Sequence, residues 1–301
     1  MPIVIPPIKS QGIKTKLVPW INDIISKSGL DQAKANWIEP FFGTGVVGLN
    51  ATVGGVRYVG DSNPHIINLY NGILHGDITS GNVRQYLERE GELLSQAGEN
   101  GYAHYRKIKD RFNSEFGSFD FLFLSRAGFN GMMRFNSQGK WNIPFCKKPN
   151  RFSPAYITKI CNQVAATQRI VWKYGWGFHN QGFLETINMA GEGDLIYCDP
   201  PYLGRSVDYY NGWTEDDEKQ LYLALKSTSA RFVLSTWHHN EFRTNVMVDK
   251  LWGNFNVVTR EHFYQAGAHL DNRHPMVEAL VFNFELCTEK PKERQLQLDF
   301  A

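Results

Sequence analysis

Short β-type runs separated by helical patterns constrain this chain more than any other feature. Asn36–Phe41 (NWIEPF), Arg57–Gly60 (RYVG), Asp194–Cys198 (DLIYC), Arg231–Ser235 (RFVLS) and Glu278–Phe284 (EALVFNF) read as strands. Helical spacing covers Lys14–Lys27, Val46–Val53, Pro64–Leu74, Glu215–Ser227 and Asn240–Lys250. Strands that alternate with helices imply βαβ units, hence a mostly parallel sheet with helices on both faces. The last two strand-like runs, FNVVTREHFYQAG and EALVFNF, have no helix between them and predict an antiparallel hairpin at the sheet edge. Between about residue 80 and residue 175 the alternation stops. Helical patterns at Gly81–Gly98, Tyr102–Phe116 and Pro154–Ala166 surround the turn-rich stretch NGMMRFNSQGKWNIP, which predicts an inserted, mostly helical unit.

The 301 residues suffice for a sheet domain of this kind with one insertion. No segment approaches the roughly 20 apolar residues that span a bilayer, and the amino-terminal residues lack a signal peptide's order, so a soluble intracellular protein is expected. The four cysteines form no C-x-x-C pair, which argues against a structural metal site or a disulfide framework. His238 and His239, adjacent on an expected strand, should point to opposite faces and share no metal. The net charge of +2 hides an asymmetry. No acidic residue occurs between Asp120 and Glu185, whereas Arg126, Arg134, Lys140, Lys147, Lys148, Arg151, Lys159, Arg169 and Lys173 do, interleaved with aromatics. Single-sign stretches of this kind suit a polyanion.

Two turns carry the chemistry. In FFGTGVVG, Gly43, Gly45 and Gly48 have the G-x-G-x-x-G spacing that lets a strand turn sharply into the next element and lets backbone approach a nucleoside-type ligand. Alone, this spacing does not choose among such ligands. The second turn, Asp199-Pro200-Pro201-Tyr202, follows the strand DLIYC. Adjacent prolines continue neither strand nor helix, so they fix a rigid turn at a strand's carboxyl end, the edge where open α/β sheets bind ligands. The Asp199 carboxylate and the Pro200 carbonyl offer adjacent acceptors for the two hydrogens of a planar NH2 group. Held there, the nitrogen lone pair is aimed at an electrophile, and Tyr202 supplies a stacking face for a base.

These motifs, in this order, resemble the Dam-type DNA N6-adenine methyltransferases over about residues 8–284. Glu39-Pro40-Phe41-Phe42-Gly43-x-Gly45 is similar to the family's E-P-F-x-G-x-G cofactor motif, Asp61 falls in its D-x-N segment, and Ile8-Lys9-x-x-Gly12-x-Lys14 is similar to its amino-terminal L-K-W-A-G-G-K. The resemblance implies a Rossmann-like methyltransferase sheet formed by residues 1–79 and 176–286, a target-recognition insertion at 80–175 and a flexible tail at 287–301. It implies S-adenosylmethionine as cofactor, held by Lys14, Glu39, Phe41, Phe42, Gly43, Gly45, Asp61, Phe183 and Asp199, with Asp199, Pro200 and Tyr202 catalytic and no metal. Ser10 and Gly182 stand where the family has a tryptophan and an acidic residue.

Phe129-Asn130-Gly131-Met132-Met133-Arg134-Phe135-Asn136 followed by Gly139-Lys140-Trp141-Asn142-Ile143-Pro144-Phe145 resembles the family's F-N-G-x-x-R-x-N…G-x-F-N-x-P-F. The implied partner is double-stranded DNA, met by Lys9, Phe129, Asn130, Met132, Arg134, Asn136, Lys140, Pro144, Lys147 and Lys148. In this scheme Arg134 reads a guanine edge and the lysines meet phosphates. The implied reaction is methylation of N6 on a flipped-out adenine, by a cytoplasmic bacterial or phage-encoded enzyme that is monomeric in solution and nucleoid-associated through DNA. N4-cytosine methylation uses the same kind of NH2 group and stays open, as does a non-catalytic DNA-binding module on the same fold. The final Gln295-Leu296-Gln297-Leu298-Asp299-Phe300 resembles the Q-x-x-L-x-F peptide by which replication proteins dock on the bacterial sliding clamp.

Overall fold

The computed structural model describes residues 2–10, 12–97, 101–203, 212–262 and 276–287. One sheet of seven strands organises them: β1 (Trp37–Glu39), β2 (Arg57–Asp61), β3 (Trp176–Asn180), β4 (Leu195–Cys198), β5 (Arg231–Asn240), β6 (Asn256–His262) and β7 (Met276–Phe282). Their spatial order is β3-β2-β1-β4-β5-β7-β6. Pairings from β3 through β5 are parallel, whereas β7 pairs antiparallel with both β5 and β6. The expected mixed sheet is present, with its antiparallel strands at the expected edge. Central strands β1 (WIE) and β4 (LIYC) are buried at every position, as a sheet covered on both faces requires.

Strand order determines where a ligand can sit. From β1 the chain steps outward to β2 and β3, then returns to β4 on the other side of β1. Loops leaving β1 and β4 therefore diverge to opposite faces, and a crevice opens between their carboxyl ends. FFGTG leaves β1 and Asp-Pro-Pro-Tyr leaves β4. The sequence motifs thus meet at the one place where this topology makes room.

Helix α1 (Val18–Ser26) precedes the sheet, and α2 (Pro64–His75) starts with Asn63 accepting the His65 N–H at 3.0 Å. Between β2 and β3 follow α3 (Ser80–Gln96), α4 (Tyr102–Glu115), α5 (Ser118–Ala127) and α6 (Pro154–Lys173). Short α7 (Phe183–Ile187) leads to β4, and α8 (Glu215–Ser227) to β5. One buried apolar cluster runs from Ile8 through α2 and α3–α6 to Phe284, so helices 80–173 share a core with one face of the sheet.

Two helical expectations fail, the second in part. Val46–Val53 forms only a single tight turn at Gly48–Asn50. Buried Arg57 donates to the carbonyls of Gly48, Ala51, Val53 and Gly55, so these acceptors are satisfied without a helix. Asn240–Lys250 is helical only in its second half, where a short π-type helix covers Val248–Trp252. β5 runs on to Asn240, whose side chain accepts the N–H groups of Phe242 and Arg243 at 2.9 and 2.8 Å and turns the chain back. A bulge between Trp237 and His239 also overturns the expected divergence of the two histidines: His238 Nδ1 and His239 Nδ1 lie 2.8 Å apart.

Candidate active site

A cavity of about 360 Å³ fills the crevice between β1 and β4. Its walls include Glu39, Phe41, Phe42 and Gly43 from the first turn, Asp61 and Asn63 from the end of β2, and Asp199 and Pro201 from the second turn. Phe183 and Trp213 line another side.

The glycine turn is built for close approach. Gly45 has φ of +75°, and a Cβ there would fall 2.3 Å from the Phe42 ring. A Cβ on Gly48 would strike the Glu39 carboxylate at the same 2.3 Å. Glu39 is therefore seated by a missing side chain, and it accepts from the Trp37 indole at 2.9 Å. Its burial pushes the carboxyl well above the usual carboxylate range. Asp61 joins the two loops: Oδ2 accepts the Gly43 N–H at 2.7 Å and Oδ1 accepts the Asn63 N–H at 2.8 Å. Each oxygen keeps a further lone pair, and desolvation raises this carboxyl too.

At the second turn, Asp199 Oδ1 lies 3.0 Å from the Lys14 ammonium, and Asp199 keeps 23% of its side chain exposed. Burial raises the Asp199 carboxyl, and Lys14 opposes that rise. The same ammonium stands 4.9 Å from the centre of the Tyr202 ring. Lys14 lines the cavity but contacts the Asp199 turn, a placement that the cofactor motif alone did not indicate. Pro200 is buried behind Asp199, and the Tyr202 hydroxyl donates to Glu278 at 2.7 Å.

Phe41, Phe183 and Trp213 pack on one another, with ring centres 5.4–5.5 Å apart, and form an aromatic wall of the cavity. Sequence reading found Phe41 and Phe183. Trp213 was missed because it lies in NGWTEDD, a stretch with no periodic pattern, and Glu278 was read only as the first residue of a strand.

The acid-free stretch folds back on itself beside the cavity. Phe129 N–H donates to the Pro144 carbonyl, Phe135 bridges Trp141, and Asn136 Oδ1 accepts the N–H groups of Gln138 and Lys140. From Lys140 to Phe145 exposure alternates strictly: Trp141, Ile143 and Phe145 are buried, whereas Lys140, Asn142 and Pro144 are exposed. Met133 and Phe135 reach the cavity wall. Arg134 Nε donates to Asn142 Oδ1 at 2.8 Å, and both Arg134 and Met132 are half-buried. Phe129 is 47% exposed beside Asn130, a non-glycine residue at φ of +52°. Lys9 packs against Gly131, and Lys147 and Lys148 are exposed nearby in sequence. Asn136 shapes the turn tip, so its side-chain carbonyl already has intramolecular partners.

A crevice with an acid-lined glycine turn on one wall and Asp-Pro-Pro-Tyr on the other defines an α/β protein whose site lies where the strand order reverses. More specifically, residues 10–266 match the D12 class N6 adenine-specific DNA methyltransferases, and the chain belongs to that family. It is 32% identical over 200 residues to the retron Ec67 DNA adenine methylase of Escherichia coli, a match covering 64% of each chain. It is 32% identical over 210 residues to the DNA adenine methylase of Haemophilus influenzae, covering 64% of this chain and 68% of that one. The match thus spans slightly less than two thirds of the retron enzyme's length. An rRNA methyltransferase of Streptomyces viridochromogenes aligns with TM-score 0.40 and 10% identity over 92% of this chain and 89% of its own, too distant to support an inference. Among the described residues, no helix is long and apolar enough to cross a membrane.

Proposed function

We propose that this protein transfers a methyl group from S-adenosylmethionine to N6 of an adenine rotated out of double-stranded DNA. The observation that carries the reading is the single cavity in which the Asp61-braced glycine turn faces the Asp199 turn across the β1/β4 crevice. The residues present fit the cofactor. Asp61 has lone pairs for a ribose diol, and Phe41, Phe183 and Trp213 offer an apolar wall for an adenine ring. Bound there, adenosylmethionine supplies an activated methyl electrophile, so positioning the amine is the protein's main task.

Asp199 and the Pro200 carbonyl hold the two amine hydrogens, and the Tyr202 ring stacks on the base. Burial raises the Asp199 carboxyl, and the Lys14 ammonium opposes that rise and favours the ionised form that the accepting role requires. The target base must leave its stack because the cavity lies at the sheet edge, out of reach of a paired adenine. Residues 80–175 act as the recognition unit. Phe129 and Asn130 stand at the vacated pair, Arg134 reads a neighbouring guanine, and the exposed lysines neutralise phosphates. The 295–300 segment QLQLDF lies outside the described residues, and its docking on a sliding clamp belongs to the same proposal.

Mass spectrometry of nucleosides from duplex DNA incubated with the protein and adenosylmethionine tests the reading. N6-methyladenine is the expected product. N4-methylcytosine would transfer the assignment to the other exocyclic amine, and no methylated base would leave a DNA-binding module.

A further inference from the structure

Glu278 lies in the middle of β7, paired in register with Trp237 of β5 and Arg260 of β6, and its side chain is fully buried. A carboxylate in such a position is expensive to bury, and the run MVEALVF around it is otherwise apolar. Its Oε2 accepts the Tyr202 hydroxyl at 2.7 Å, a distance typical of a strong hydrogen bond to a carboxylate. Tyr202 is half-exposed and leaves a Pro-Pro turn whose backbone is stiff but whose aromatic side chain can still rotate. One edge of its ring is tied to the sheet by Glu278, and the ring lies beside the Lys14 ammonium that holds Asp199. The chain of contacts runs from Glu278 through Tyr202 and Lys14 to Asp199.

We infer that Glu278 is a positioning residue for the methyl transfer: it fixes the plane of the Tyr202 ring so that the flipped base stacks with its amine at Asp199. The inference rests on the function proposed above. It assigns to a buried strand residue, 76 positions from Tyr202 in sequence, the orientation of the base-stacking surface. Glu278 touches neither base nor cofactor in this role: its hydrogen bond acts on turnover through Tyr202, and because its charge also raises the Asp199 carboxyl, kcat is compared on the plateau of each variant's pH–rate profile.

The test uses the full chain and adenosylmethionine with two oligonucleotide duplexes, one with adenine at the target position for turnover and one with 2-aminopurine there for the stacking signal. Tyr202→Phe keeps the stacking ring and removes its anchor. It should lower kcat by at least about tenfold, toward the ~100-fold that a misplacement of about 1 Å costs, with the cofactor Kd unchanged. Glu278→Leu should do the same, and the double variant should be no worse than either single one. Glu278→Gln, which still presents an acceptor oxygen, should restore kcat to within about threefold of wild type. In Tyr202→Phe and Glu278→Leu the 2-aminopurine signal should report a base that is flipped but incompletely stacked. An unchanged kcat in Tyr202→Phe overturns the inference, as does a double variant whose loss is the product of the single losses. If Glu278→Leu does not fold, Tyr202→Phe against Glu278→Gln decides alone. A wild-type protein that makes no methylated base refutes the function itself. The Tyr202–Glu278 link is then read from a double-mutant cycle of thermal stability, where simple additivity refutes it.

Discussion

Asp199 shows how much one side chain depends on its neighbours. Its carboxyl is raised by burial and held down by Lys14 at 3.0 Å. Removing the cation removes the lowering influence, so the acid limb of the pH–rate profile in Lys14→Met should move to higher pH. The limb should keep its slope, because the same single carboxylate must be ionised for turnover. A limb that stays in place would show that Lys14 does not set the charge of Asp199. His65 behaves in the opposite sense. Its ring is stacked between Phe116 and Phe135, centres 5.2 and 5.0 Å away. Desolvation there lowers its pKa from 6.5 to about 4, against a backbone hydrogen bond with Gly139. The folded state keeps this histidine neutral while the unfolded chain protonates it from about pH 6.5 downward. Its contribution is therefore fully present above pH 6.5 and is lost as pH falls toward 4, by about 3 kcal/mol in total. Thermal unfolding of wild type and His65→Phe between pH 7.5 and 4.5 should show wild type losing more stability on acidification. Parallel curves would contradict this account.

At the scale of elements, the turns were legible in sequence and several helices were not. Gly45 and Gly48 announced a close approach because only glycine fits beside the Phe42 ring and the Glu39 carboxylate. Asp-Pro-Pro-Tyr announced a rigid turn because two prolines permit little else. Val46–Val53 misled because its apolar spacing suits a helix, and nothing local reveals that Arg57 satisfies its carbonyls. β3 (WGFHN) escaped notice because its aromatic and glycine residues show no run of β-branched residues. Trp213 and Glu278 could not be found locally, since their roles exist only once distant segments meet. In the basic hairpin, strict alternation from Lys140 to Phe145 separates a buried apolar row from an outward row that includes Asn142, the partner of Arg134. Arg134→Ala should relax preference at one base position next to the methylated adenine and cost about 1–3 kcal/mol in discrimination. Sequencing of methylated sites reads this directly, and an unchanged site preference would remove Arg134 from base reading.

Across the whole molecule, the strand order governs everything else. Because the chain runs outward from β1 through β2 and β3 and then returns to β4 on the other side of β1, residues about 160 positions apart in sequence become opposite walls of one cavity. Helices 80–173 share the sheet's core, and Met133 and Phe135 of their hairpin reach that cavity. The basic hairpin is thus continuous with the wall of the cavity. In the proposed function the Asp199 turn does the chemistry while the glycine turn and Asp61 hold the cofactor. Calorimetry with adenosylmethionine and a methylation assay on the same preparation of Asp199→Ala test it together. The cofactor Kd should stay within about threefold of wild type, because the diol and ring contacts survive, and turnover should fall by about 10³-fold, in the range that loss of a positioned acceptor costs. Near-normal turnover in that variant would contradict it.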